Sequence, residues 1–232
     1  ATWLTPEQKK LLAEKLEANT THVQGHGALG ALLRDPKVYM LSRGFFLNLG
    51  AAYVLVFWAP TLIQSWGVRD VFHIGLLKAI PNIIGAIGMV VIGLSSDRFN
   101  ERRWHYVACV VLVVINLLLM AVSEPNLVLQ LTLFSLMTIG TAALIPLFFA
   151  FVSEYLPKEA AAGGIALISS LGNIGPAITP SISAAILAST GSNKGSLLFV
   201  AALYTGAGLI MAFAATRRRP VASQTATVSQ SA

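Results

Sequence analysis

Charge is what this chain has least of. Only 11% of its 232 residues are Asp, Glu, Lys or Arg, against about 25% in an ordinary soluble domain. A larger core cannot absorb that deficit, because a chain this short keeps most of its side chains near a surface. With 55% hydrophobic residues and a mean hydropathy of +0.71, the surface itself must be apolar and the solvent must be lipid. Cysteine is nearly missing too. Cys109 stands alone inside an apolar run, which excludes a disulfide framework and leaves a small packing residue. Acids are missing from the middle of every apolar run: Asp70, Asp97, Glu124, Glu154 and Glu159 fall at ends or between runs. There is no G-x-S-x-G, no H-E-x-x-H and no intramembrane aspartate pair, so no catalytic residues and no enzyme are expected. The filter loops and charge rings of a channel are missing as well. The net charge of +6 does not point to nucleic acid, because the basic residues stand at segment ends and form no stripe.

What is present is a series of apolar runs at 39–66, 72–94, 104–122, 127–152, 160–189 and 195–215. Each supplies the ~20 residues that a helix needs to cross ~30 Å of hydrocarbon. The runs are continuous and do not alternate, so a barrel is excluded. The expected fold class is an all-α membrane protein with six transmembrane helices. Residues 1–37 are expected to form a cytoplasmic loop with an amphipathic helix, 38–216 the bundle, and 217–232 a disordered tail.

Thr5, Pro6 and Gln8 read as a helix start, with Leu4, Leu11, Leu12 and Leu16 as its apolar stripe. His22 and His26 are i, i+4, but they lack a third ligand and read as part of a solvated linker; neither a metal nor a cofactor is expected. The polar, helical opening without a methionine or signal pattern reads as the interior of a longer protein. Orientation follows from Arg34, Lys37, Arg98, Arg102, Arg103, Lys158, Arg217, Arg218 and Arg219, which share one side with the amino-terminal lysines, whereas Arg69 and Lys194 stand on the other. That asymmetry places both ends of the chain in the cytoplasm.

Three further patterns point to function. Residues 93–103 read Gly-Leu-Ser-Ser-Asp-Arg-Phe-Asn-Glu-Arg-Arg, a charged turn between two spans. In it Gly93 is expected to let two helix ends approach, and Asp97 to cap the next helix or pair with an arginine. The fifth run is the most broken, through Gly163, Gly164, Gly172, Gly175, Pro176 and Pro180. Such residues allow close helix packing or a rocking, cavity-lining helix. The two sets of three runs also match, with Pro60 and Pro146 late in each first run and Pro81 and Pro176 in each second. This is the mark of a 3+3 inverted repeat.

The chain resembles the C-terminal half of a major facilitator superfamily transporter, of the anion:cation symporter type found in bacterial phthalate, tartrate and sugar-acid permeases. The resemblance rests on Trp3-Leu4-Thr5-Pro6-Glu7, Phe57-Trp58-Ala59-Pro60 and Ala79-Ile80-Pro81. It rests also on Ser96-Asp97-Arg98 with Glu101-Arg102-Arg103-Trp104-His105, on residues 160–166, and on Gly172-Asn173-Ile174-Gly175-Pro176. It implies helices seven to twelve of a twelve-helix carrier in the bacterial inner membrane. The partners it implies are a small organic anion, protons, the lipid bilayer and a missing N-terminal six-helix half. The acidic relay and the anion-binding arginine would lie in that missing half.

The same resemblance turns Asn48 and Tyr53 toward a central cavity and makes Asn173 a substrate contact. Phe149 stands where many relatives have tryptophan, and Ser169 where relatives often have asparagine. Asp97, Arg98, Arg102 and Arg103 would form the inner gate. Lys78, about two turns inside the second run, reads either as snorkelling to the outer interface or as attracting an anion. Rival readings are a carrier of a neutral or cationic solute and a membrane sensor that no longer transports.

Overall fold

The computed structural model describes residue 30 and residues 32–124, 126–156 and 161–214. The proposed amphipathic helix, His22, His26 and the tail lie outside them. Among the described residues seven helices follow one another: α1 (Pro36–Ser65), α2 (Val71–Phe99), α3 (Arg102–Val122), α4 (Leu127–Tyr155), α5 (Ala161–Gly172), α6 (Ile174–Thr190) and α7 (Asn193–Ala214). With α5 and α6 taken as one, six helical segments are long and apolar enough to cross a membrane.

Local chemistry sets the ends. Asp35 caps α1 by accepting from the Lys37 amide at 2.9 Å, with Pro36 at the first turn. Asp70 caps α2 through the His73 amide, and Asn126 caps α4 through the Val128 and Leu129 amides. At the other end of α2, Asn100 adopts a left-handed conformation (φ 50°) and turns the chain. The fifth span breaks at Asn173. Pro176 has no N–H to give the Gly172 carbonyl, so the ladder stops there and restarts as α6.

The packing repeats itself. α1 packs on α5, α6 and α7; α4 packs on α2 and α3; and α3 packs on α7. Exchanging α1 with α4, α2 with α5–α6, and α3 with α7 reproduces the same set of contacts. This is the inverted 3+3 repeat that the prolines suggested. Its second members, α2 and α5–α6, are the least buried spans, and the core lies where α1, α3, α4 and α7 meet. Tyr106, Met137, Leu144, Phe148, Tyr204 and Met211 are buried there, as is Cys109.

Backbones come unusually close at two crossings. A side chain on Gly175 would run into the Phe46 carbonyl, and one on Gly140 would lie 2.9 Å from the Cys109 carbonyl. Small residues let helices approach this far when lipid supplies no hydrophobic drive for association. Gly93 does not have the part expected of it. A Cβ there would meet nothing within 4 Å, because Asn100, not the glycine, makes the turn.

Candidate functional site

The charged turn is built around one arginine. Arg102, at the start of α3, pairs with Asp97 of α2 at 3.2 Å and, through Nε, with Glu154 in the last turn of α4. Asp97 therefore pairs and does not cap; α3 has Glu101 at its N-cap without a side-chain bond. Arg98 is exposed. Arg103 stacks its guanidinium on Trp104 at 5.1 Å. Of the four expected gate residues, Asp97 and Arg102 are joined, and Glu154 completes the cluster. The next residue, Tyr155, reaches the other way and donates to the Asp35 carboxylate at 2.9 Å. Consecutive residues of α4 thus tie its end to α1, α2 and α3. His105 sits beside this cluster, its Nε2 3.1 Å from the Ser95 hydroxyl.

The four candidate contact residues fall into different places. Asn173 is exposed at the break between α5 and α6, and its Nδ2 donates to the Ser169 carbonyl at 2.7 Å. That leaves Oδ1 open. The neighbouring Gly172 seats against the Phe45 ring. Phe45 in turn stacks on Phe148, and Phe149 meets it edge-on at 4.9 Å between centroids. Phe149 and Gly172, the residue before Asn173, therefore meet on the same Phe45 ring. Nothing in the sequence singled out Phe45 within its apolar run.

Tyr53 is 41% exposed and sits near Phe57. Asn48 is 1% exposed, and its Nδ2 has no hydrogen-bond partner among the described residues. The expectation that both face one cavity is corrected by helix geometry. Five residues at 3.6 per turn place them ~140° apart around α1, so Asn48 points into the bundle and Tyr53 away from it. A groove of about 300 Å³ between α2 and α4 is lined by Ile84, Ile87, Gly88, Val91, Ile92 and Ile139. Its lining offers no polar side chain to orient a solute.

An inverted-repeat bundle of membrane-spanning helices, with an ion-paired turn at one end and a broken helix on one flank, defines a multi-pass membrane protein of the carrier architecture. The sequence profile of the Major Facilitator Superfamily matches residues 1–162 and, overlapping, 72–231. The chain belongs to that family.

The chain is 35% identical to a Pseudomonas putida protein named as a metabolite transport protein, NicT, over 93% of this chain and 50% of the relative. A tartrate transporter by name from Agrobacterium vitis is 31% identical over 99% of this chain and 51% of its own length. A quinolone resistance transporter of Acinetobacter baumannii is 32% identical over 77% of this chain and 41% of its own. The chain thus spans about half the length of these curated relatives, in keeping with one six-helix half of a carrier. They are named as transporters, not as enzymes.

Proposed function

We propose that this chain is the C-terminal half of a secondary carrier that moves a small organic anion across the bacterial cytoplasmic membrane by alternating access. Sugar acids and aromatic or dicarboxylic acids are the substrate class, and protons are the coupling ion. Both ends of this segment lie in the cytoplasm. The observation that carries the reading is the packing pattern, which is unchanged when one three-helix repeat is exchanged for the other. Such a bundle can rock as a body against a partner half, with the solute held near the midplane between them.

The charged end supports the same reading. Arg102, Asp97, Glu154, Tyr155 and Asp35 gather four helix ends at one point. Exposed ion pairs contribute only about 0–1 kcal/mol each, which suits contacts that form and release during a cycle. Asn173 at the helix break and the half-buried Phe149 are the candidate wall residues on one side, backed by the buried Phe45, and Tyr53 stands on a separate stretch of α1. No acid lies deep in any described span of this half, since Asp97 and Glu154 stand in the last turns of α2 and α4, so the proton-binding group is assigned to the other half.

A second reading, a neutral or cationic solute on the same architecture, is favoured by the name of the Acinetobacter baumannii relative. Uptake of labelled organic acids into proteoliposomes by the full-length carrier, with and without a pH gradient, separates the two. Accumulation driven by an inward proton gradient supports the anion reading. Movement of quinolones with no uptake of acids overturns it.

A further inference from the structure

Lys78 lies seven residues past the start of α2, inside the apolar part of the span. A lysine that snorkels sends its ammonium to the interface. Lys78 does something else. Its Nζ donates to the Val56 carbonyl of α1 at 3.3 Å. Val56 is four residues before Pro60, and Pro60 has no N–H, so this carbonyl is the one that the proline deprives of its helical partner. It is also nine residues before Ser65, the end of α1, which at 1.5 Å per residue is ~13 Å inside the helix. The ammonium is held at depth by a backbone acceptor that the sequence frees for it.

One hydrogen bond to a carbonyl leaves the positive charge uncompensated. Among the described residues no carboxylate lies within 4.0 Å of Nζ, and two of its three N–H donors have no partner. One helical turn from Val56 stands Tyr53, and one turn from Lys78 stands Asn82. Both are exposed, and among the described residues neither side chain makes a hydrogen bond. A cation with an unbonded hydroxyl one turn from its acceptor on α1 and an unbonded amide one turn away on α2 is a costly surface to turn toward hydrocarbon. It is a fitting one for an oxyanion, because a charge-assisted bond from the ammonium and two neutral donors can share the two oxygens.

We infer that Lys78, Asn82 and Tyr53 form a carboxylate-binding subsite on the wall shared by α1 and α2, with the Val56 carbonyl holding the ammonium in place. The inference rests on the reading of this chain as half of an organic-anion carrier, and it adds a charge from this half to the solute path. A lipid phosphate would satisfy the same donors, so the test must separate a solute from a headgroup.

The test uses the full-length carrier, with its native cysteines replaced and Tyr53→Cys introduced, reconstituted in phosphatidylcholine vesicles with or without phosphatidylglycerol. The new thiol is alkylated with iodoacetate and, separately, with iodoacetamide. The two reagents differ in a carboxylate against an amide, so the ratio of their rates reports attraction of a carboxylate and cancels any change in thiol reactivity. Lys78→Gln is expected to lower that ratio about tenfold, the equivalent of ~1.4 kcal/mol, and Lys78→Arg to preserve most of it, in both lipid mixtures. A ratio indifferent to Lys78 overturns the proposal. So does a thiol that neither reagent reaches, or a Lys78 effect that vanishes when phosphatidylglycerol competes for the ammonium. Asn82→Cys gives a second reporter if Tyr53→Cys fails to insert. A Lys78-dependent ratio in a carrier that accumulates no organic acid leaves the anion subsite standing and removes the transport reading instead.

Discussion

Thr179 donates its hydroxyl to the Gly50 carbonyl 2.9 Å away on another helix, and shares the same proton with the Gly175 carbonyl 3.0 Å away on its own. The bond joins α6 to α1 where both backbones are bare. Gly50 faces the Thr179 side chain, and Gly175 faces the Phe46 carbonyl. Any added methyl at Gly175 must push the helices apart. Gly175→Ala should therefore destabilise the carrier by about 1–3 kcal/mol, the usual cost of overpacking. Gly93→Ala is the control. With nothing within 4 Å of the new methyl, it should stabilise α2 by about 0.5–1 kcal/mol, the ordinary gain over glycine in a helix. Thermal unfolding of the full-length protein in detergent measures both, and equal shifts would remove the special status of the α1–α6 crossing.

Arg102 holds Asp97 and Glu154 at the same time. If these pairs form and release as the carrier cycles, weakening them alters turnover and leaves the solute site intact. Asp97→Asn should lower kcat for uptake roughly tenfold with KM little changed, the pattern of an interaction outside ground-state binding. Glu154→Gln should behave alike, and the double variant should cost less than the product of the two, because both carboxylates share one guanidinium. A raised KM with normal turnover would place Asp97 in binding instead.

Much of this architecture could be read from pattern alone. Six apolar runs gave six spans, because in lipid each backbone polar group must find its partner within its own helix. The break at Asn173 was legible in Gly172 and Pro176, and the repeat in the matching prolines. What could not be read depends on which face of a helix a residue occupies and on distant partners. Asn48 and Tyr53 looked alike until the turn of α1 separated them. Glu154 is 52 residues from Arg102, and no local signal pairs them. Phe45 is one apolar residue among many, and only the bare surface of Gly172 reveals what seats there. Gly93 invited a role as a close-contact glycine, whereas the left-handed Asn100 bends the chain seven residues later.

Asp70 offers a test of pH dependence at the opposite end of the bundle. It lies outside the helix it caps, and a hydrogen bond from the His73 side chain, helped by the His73 amide, holds its carboxyl below the ordinary value of 3.8. A carboxyl lowered on folding stabilises the fold at pH values above 3.8 and loses that contribution only as pH falls through the lowered value. Its charge is therefore constant across the working range. Asp70→Asn should leave the shape of the uptake profile unchanged between about pH 5 and 8, although the cap is weakened. A profile that shifts by a unit or more in that variant would make Asp70 part of proton coupling.

Asn173 combines three properties that no other polar residue of the described spans brings together. It is exposed at a helix break, its amide nitrogen is anchored on the Ser169 carbonyl, and its oxygen is open. The anchor fixes the side chain before a solute arrives, so little rotamer freedom remains to be lost on binding. Its second N–H can donate to a carboxylate, and its oxygen can accept from a substrate hydroxyl. Removing a hydrogen bond to a charged group costs about 1.5–3 kcal/mol. Asn173→Ala should therefore lower kcat/KM for uptake roughly 10- to 100-fold, with membrane insertion and unfolding temperature unchanged. Asn173→Asp keeps the shape and sets a negative charge against an anionic solute, so it should be the more damaging of the two. For a cationic solute that order reverses. The pair of variants thus reports the sign of the transported species as well as the place of Asn173, and unchanged kinetics in both would take Asn173 out of the solute path.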